Sequence, residues 1–374
     1  MKSRFSIAAA IAVMAIALVG GQNVSAKTGK AVAATAPTPP AAFTDSNAAQ
    51  LAGTKRVAIT SVLIQFQAAT NAVDGPSQWF SMFQSKSTSE TVLAWPDFSA
   101  QVRADFADFA YAKLQADLTA AGYEVVPEAQ VKASANYAAI MKEGAMPPLT
   151  HYGNAMGDAY FVGPQALPPY LPYNWESGVF SNPVSYIGWV SKLGAKSKTP
   201  GGPSAFNVGD NWKIPGMETA LARELNAHVV KATYVVTLGR ATAKRKRSFT
   251  SGSTQLITAT ANAYAEPSLM AQQTHISFRA ANGTGKWQKA SMTKLAPPKD
   301  GDVSVHLAIP LTGSTDFFEL ASDGGREKSS FLFGGETKFK FMYFASLTDP
   351  QGYMAEVGGM ISEANKHMLA LVRQ

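Results

Sequence analysis

Hydrophobic residues enter this chain first as one block. Phe5 to Val19 is a run of Phe, Ile, Ala, Val, Met and Leu interrupted by Ser6 alone. Lys2 and Arg4 precede it, Gly20-Gly21 breaks it, and Val24-Ser25-Ala26 places small or modest side chains after it. This order predicts a secretory signal peptide over residues 1–26, cleaved after Ala26 to leave Lys27 first. The run of about 15 residues falls short of the roughly 20 that a spanning helix needs. Residues 27–53 are rich in Ala, Thr and Pro without helical or strand periodicity, and read as a disordered leader.

Residues 54–374 read as one α/β domain with a long Pro/aromatic-rich insertion at about 144–215. Arg56 to Gln67 is β-branched and apolar, which predicts a strand covered on both faces. From Ser99 to Ala121, Val102, Phe106, Phe109, Ala110, Leu114 and Leu118 recur every three or four residues and predict a helix. Arg103, Asp105, Lys113 and Gln115 fall off that stripe, and Gly122 is placed to end the helix with positive φ. A short strand at Tyr123–Val126 and a helical stretch from Pro127 to about Lys142 follow. The insertion reads as irregular; after it come a short helix at Glu218–Asn226 and a strand at His228–Leu238.

The C-terminal third alternates with period two. Thr254–Tyr264, Gln273–Arg279, Val303–Ile309 and the stretch around Phe339, Phe341 and Tyr343 predict a mostly antiparallel sheet with one wet face. The chain closes with a predicted helix. Asp349 is its N-cap, Pro350 its first residue, and Tyr353, Val357, Met360, Ile361, Ala364 and Met368 lie on its apolar face. Gly358-Gly359 inside it predicts a close packing contact or a kink. The expected class is therefore α+β with an α/β core, strand-helix-strand-helix at the start and a closing C-terminal helix.

Composition narrows the chemistry. There is no Cys, which removes disulfides, thiolate metal sites, Cys nucleophiles and lipidation at a mature N-terminal Cys. Apolar residues make up 46%, enough for a sizeable core. The net charge of +7 becomes about +5 when Lys2 and Arg4 leave with the signal, a balance that favours anionic neighbours such as lipid head groups or polysaccharide. Export makes nucleic acid an improbable partner and predicts a periplasmic location, or secretion beyond the outer membrane. No membrane-spanning segment is expected in the mature chain.

Tyr111-Ala112-Lys113-Leu114-Gln115-Ala116-Asp117-Leu118, then Ala121-Gly122-Tyr123-Glu124-Val125-Val126-Pro127, sits between a strand at Val57–Phe66 and another at Ala227–Val236. This order resembles the α/β domain of the curli-secretion-channel (CsgG-like) family and the N-terminal domain of TolB. The resemblance is one of pattern and covers about 100 residues. It implies an α/β envelope or assembly domain without catalytic residues, and no functional residue is carried over. The chain departs from the channel family in having no Cys to lipidate, which removes the basis for a pore role.

Neither a G-x-S-x-G elbow nor an H-E-x-x-H pair occurs. Gly283-Thr284-Gly285-Lys286 lacks the first Gly and the final Ser/Thr of a phosphate loop, and reads as a turn. The five His are His151, His228, His275, His306 and His367; their spacing forms no local metal cassette, although His275 and His306 are placed to meet across a sheet. Asp300, Asp302, Asp316, Glu319 and Asp323 read as solvated acidic loop groups. No catalytic residue, metal ligand or cofactor site is assigned.

Two binding candidates remain. The Pro/aromatic segment offers Tyr170, Tyr173, Trp175, Tyr186 and Trp189, with His151 as the titratable residue, as a ligand-binding loop; packing onto the sheet is the competing role for these rings. Arg240, Lys244, Arg245, Lys246 and Arg247 form the densest charge run, read as a hairpin tip able to grip lipid phosphates or acidic glycans. The leading expectation is a non-catalytic periplasmic binding or assembly factor that contacts an envelope polymer, lipid or partner protein through the aromatic loop. The alternatives are a secreted hydrolase with unlocated acidic residues, and a purely structural envelope component.

Overall fold

The computed structural model describes residues 41–44, 48–67, 69–74, 87–94, 99–145, 149–154, 157–170, 214–237, 239–249, 255–271, 273–284, 301–314, 317–323 and 337–372. The predicted signal peptide and most of the predicted leader lie outside them, as does the unit Met1–Thr38. Among the described residues no helix is long and apolar enough to cross a membrane.

The fold is α+β and is organised by one mixed sheet. Its path runs β1 (Ala42–Thr44), β13 (Asp302–Leu307), β12 (His275–Arg279), β8 (His228–Thr237), β2 (Arg56–Gln67), β7 (Gly157–Val162) and β6 (Leu149–Asn154). β5 (Glu124–Val125) joins β2, and β11 (Ser268–Leu269) bridges β8 to β14 (Leu311–Thr312). β2 and β8 pair in parallel at the centre, and every other pair along that path is antiparallel. β2 has the predicted bounds and is buried along nearly its whole length. A β-strand is buried on both sides only when both sheet faces are covered, and here they are. α1 (Ala100–Ala120) and the closing helix α5 (Pro350–Ala370) pack together on one face. α2 (Glu128–Ala133) and α4 (Ile214–Glu224) cover the other through contacts with β2, β8 and β12, and α3 (Ala135–Gly144) packs on both helices.

The local signals explain the long helices. Ser99 caps α1 by accepting from the Val102 N–H at 3.1 Å, and Gly122 ends it at φ +92°. Asp349 caps α5 by accepting from Gly352 N–H at 2.9 Å, with Pro350 first in the helix. Beneath them lies the apolar sheet face of Val230, Tyr234, Ile276, Phe278, Val303 and Val305. Phe106 packs edge-on against Phe66 with ring centroids 5.3 Å apart. A polar seam crosses this layer. Tyr234 donates to Asn365 Oδ1 at 2.8 Å, and Asn365 donates in turn to Asp117 at 2.9 Å, so the buried amide is satisfied.

A second sheet orders β15 (Phe318–Asp323), β16 (Thr337–Leu347), β4 (Ser87–Ala94) and β3 (Ala69–Asp74). The ribbon β9 (Arg240–Phe249) and β10 (Gln255–Tyr264) packs against β3 and β4.

Several expectations change. The C-terminal strands pair with one another antiparallel, but they are divided among three sheets, and β16 adds a parallel pair with β4. Ala42–Thr44 and a 3-10 turn at Ala48–Leu51 are ordered within the stretch read as a leader, because β1 completes the edge of β13. The helical stretch after Pro127 is two helices; Ser134 breaks it and caps the second by accepting from Asn136 and Tyr137 N–H. The insertion read as irregular contains the β6–β7 hairpin. Arg103, expected off the buried stripe, is buried with its guanidinium 3.6 Å above the Tyr160 ring.

Candidate functional site

The sheet face under α4 is polar, in contrast to the face under α1 and α5. Strand alternation and register produce it. On β12 the residues His275, Ser277 and Arg279 stand opposite His306, Ser304 and Asp302 of β13. On the other side β12 pairs with β8, which puts Lys231 opposite Ser277 and Thr233 opposite His275. β2 adds Ser61 opposite Lys231, at a register shift between Ile59 and Ser61. That shift leaves Thr60 as an extra residue, the mark of a β-bulge, which re-aims a side chain. The Thr60 hydroxyl meets Tyr170 OH at 2.8 Å and reaches the Val230 carbonyl at 3.4 Å.

The rungs meet in pairs. Arg279 bonds Asp302 at 2.6 Å. Ser304 donates to Ser277 at 3.1 Å. His275 and His306 have ring centroids 5.2 Å apart, and Phe43 of β1 stacks on His306 at 5.0 Å. The two histidines thus meet across the sheet as the spacing suggested. No group of three His, Cys, Asp or Glu suited to a metal ion occurs among the described residues.

α4 supplies the remaining charge. Glu218, fully buried, takes Lys231 Nζ at 2.8 Å on one oxygen and lies 3.6 Å from Arg279 on the other. Tyr170 OH donates to the same carboxylate at 2.8 Å. Two cations and two carboxylates therefore balance inside the sandwich. Burial pushes the Glu218 carboxyl up and the Lys231 ammonium down from their ordinary values, while Arg279 draws Glu218 back toward its charged form. Burial likewise raises the Tyr170 phenol well above its ordinary value and keeps it a neutral donor. Lys231, Glu218 and Tyr170 are the residue types of proton transfer, but each is engaged by the others. The arrangement fixes α4 and the chain at Tyr170 to the sheet.

This network escaped the sequence reading. Its signal was Lys231 in the middle of a strand otherwise buried on both faces, since a buried ammonium requires an acidic partner. Asp302, read as a solvated loop residue, opens β13 and pairs with Arg279. Glu319 and Asp323 lie on β15, not in a loop, and Asp300 and Asp316 fall outside the described residues. Gly283 and Thr284 follow β12 in a turn, where the Gly283 carbonyl accepts from Arg223 at 2.6 Å.

Of the aromatic candidates, Tyr170 is 1% exposed and faces the Glu218 network. Tyr173, Trp175, Tyr186 and Trp189 lie outside the described residues. His151, expected in a loop, occupies β6 opposite Tyr160. The charge run is also relocated. Arg240, Lys244, Arg245, Lys246 and Arg247 are not a hairpin tip; they lie within strand β9, in register with Tyr264, Thr260, Ala259, Thr258 and Ile257 of β10. Small and β-branched residues on both strands favour a ten-residue ladder over a turn at this point. Arg240 lies 4.5 Å over the Tyr264 ring and bonds Glu266 at 3.2 Å.

No protein-family model, curated protein or solved structure matches this chain.

Proposed function

We propose that the chain is an exported, non-catalytic binding or assembly factor of the cell envelope. The observation that supports this best is the set of mutually paired charges under α4. Its Lys, Glu, Arg, Asp and Tyr side chains hold one another at 2.6–3.6 Å inside the sandwich. Groups fixed in this way make a scaffold, so binding falls to outward-facing surfaces. The pattern-level resemblance to envelope assembly domains implies the same role, and the leader supplies the export. Tyr173, Trp175, Tyr186 and Trp189 form one contact to a polymer, lipid or protein partner in this reading, with Tyr170 anchoring the base of their segment.

The test is incubation of the purified mature protein with isolated envelope fractions, read for cosedimentation and for release of soluble fragments. Cosedimentation without release, weakened in a Tyr173→Ala/Trp175→Ala/Trp189→Ala variant, is expected. Turnover of envelope material that disappears in Glu218→Gln would replace the reading with a hydrolase.

A further inference from the structure

We propose that the outer side of the β9–β10 ribbon is a docking surface for an anionic phospholipid bilayer. The proposal deepens the binding-factor reading and rests on it. Residues 240–264 contain Arg240, Lys244, Arg245, Lys246 and Arg247 and no Asp or Glu. The chain's 33 Lys and Arg against 26 Asp and Glu give +7, and Lys2, Arg4 and these five residues account for all of it. The remaining charges sum to zero, and these five are the densest run of one sign in the chain.

The structure gives that ribbon an inner and an outer side. Ala241, Ala243, Ala261 and Ala263 are half-buried, and the ribbon packs on β3 and β4. Arg240, Lys244, Asn262 and Tyr264 alternate with them and are exposed. Small inner residues let the strands lie close to the second sheet, and the outer side is exposed at Arg240, Lys244, Asn262 and Tyr264. Arg245 and Arg247 occupy the strand parity of Ala241 and Ala243 farther along β9. The sequence therefore places a cation at every position of β9 from 244 to 247.

The geometry favours a plane of charge as the partner. At about 3.3 Å per residue, positions 240 to 247 span about 23 Å along the ribbon, long enough to meet several phosphates of a surface. Asn262 on β10, exposed and opposite Thr242, adds an amide donor to the phosphate contacts. The exposed Tyr264 ring under Arg240 is the amphipathic pairing suited to the head-group level.

The experiment is cosedimentation of the mature full-length chain with vesicles of about one-third phosphatidylglycerol in phosphatidylcholine, against phosphatidylcholine alone. Binding to the anionic vesicles only, lost on raising salt, is expected. Each Lys or Arg near such a surface is worth about fivefold, and Arg240 is partly offset by Glu266 at 3.2 Å, so Arg240→Gln/Lys244→Gln should lose at least about fivefold in partitioning. Both residues are exposed, and an unchanged circular dichroism spectrum and melt will establish that the variant is folded. Absence of binding to anionic vesicles, or equal binding by the double variant, overturns the proposal. So does a loss confined to a soluble acidic polysaccharide such as polygalacturonate, with vesicle binding unaffected. Under any of these results, continued cosedimentation of the wild type with envelope fractions leaves the binding-factor reading standing.

Discussion

Replacing Glu218 by Gln and Lys231 by Met, singly and together, probes whether the interior ions form a closed unit. The two side chains sit 2.8 Å apart and are 0% and 8% exposed. Glu218→Gln leaves Lys231 and Arg279 facing Asp302 alone, an uncompensated buried charge, at a cost of about 3–5 kcal/mol. Lys231→Met leaves Glu218 with Arg279 at 3.6 Å and the Tyr170 hydroxyl at 2.8 Å, so its cost is smaller, about 1–3 kcal/mol. In the double variant the Arg279–Asp302 pair at 2.6 Å survives and charge balance returns. Its cost should then be about 3 kcal/mol, against about 6 for the sum of the singles, a coupling of about 3 kcal/mol. Urea unfolding followed by circular dichroism, at a common m value, measures all three. Additivity to within about 0.5 kcal/mol would refute the claim that these groups act as one network.

Three smaller perturbations test other joints. Ser134 caps α3 and donates to Glu224 Oε2 at 2.6 Å, so Ser134→Ala should lower unfolding stability by about 1–2 kcal/mol; a change within error would remove the cap from the account. A Cβ at Gly358 would strike the Phe109 ring, whereas one at Gly359 meets nothing within 4 Å. Gly359→Ala should therefore raise stability by about 1 kcal/mol, and Gly358→Ala should fall below it by about 1–3 kcal/mol; equal melting temperatures would contradict the close α1–α5 contact. His228 accepts from Ala281 N–H on Nδ1 and so carries its proton on Nε2, which donates to the Leu51 carbonyl at 3.0 Å. Burial holds it below its ordinary 6.5, so the unfolded chain takes up a proton that the folded chain refuses. Its contribution to stability is thus present above pH 6.5 and lost as pH falls below it. The stability difference between wild type and His228→Gln should narrow on acidification, and parallel curves would exclude this imidazole as the source.

Much of the fold was legible because its determinants are local. The Arg56–Gln67 strand, the Ser99 cap with Gly122, and the Asp349-Pro350 start of α5 are each written in adjacent residues, and each stands where its pattern placed it. What stayed hidden depends on partners remote in the chain. Arg103 looked like a polar helix position until Tyr160 arrived from β7 to cover it. The parallel pairing of β16 with β4 is a choice that alternation cannot encode. The charge run at 240–247 resembled a turn because five cations crowd together, yet the ladder with β10 outweighs that repulsion once solvent screens it. The polar network was partly visible, since Lys231 inside a buried strand demands a carboxylate. Which carboxylate answers it depends on how α4 crosses the sheet.

Envelope binding by folded Glu218→Gln/Lys231→Met protein is the most direct measurement of the division between scaffold and working surface. If the interior ions serve structure alone, this variant should cosediment with envelope fractions as the wild type does, once both are compared below their unfolding transitions. A folded variant that no longer binds would place the working site under α4 and contradict the account.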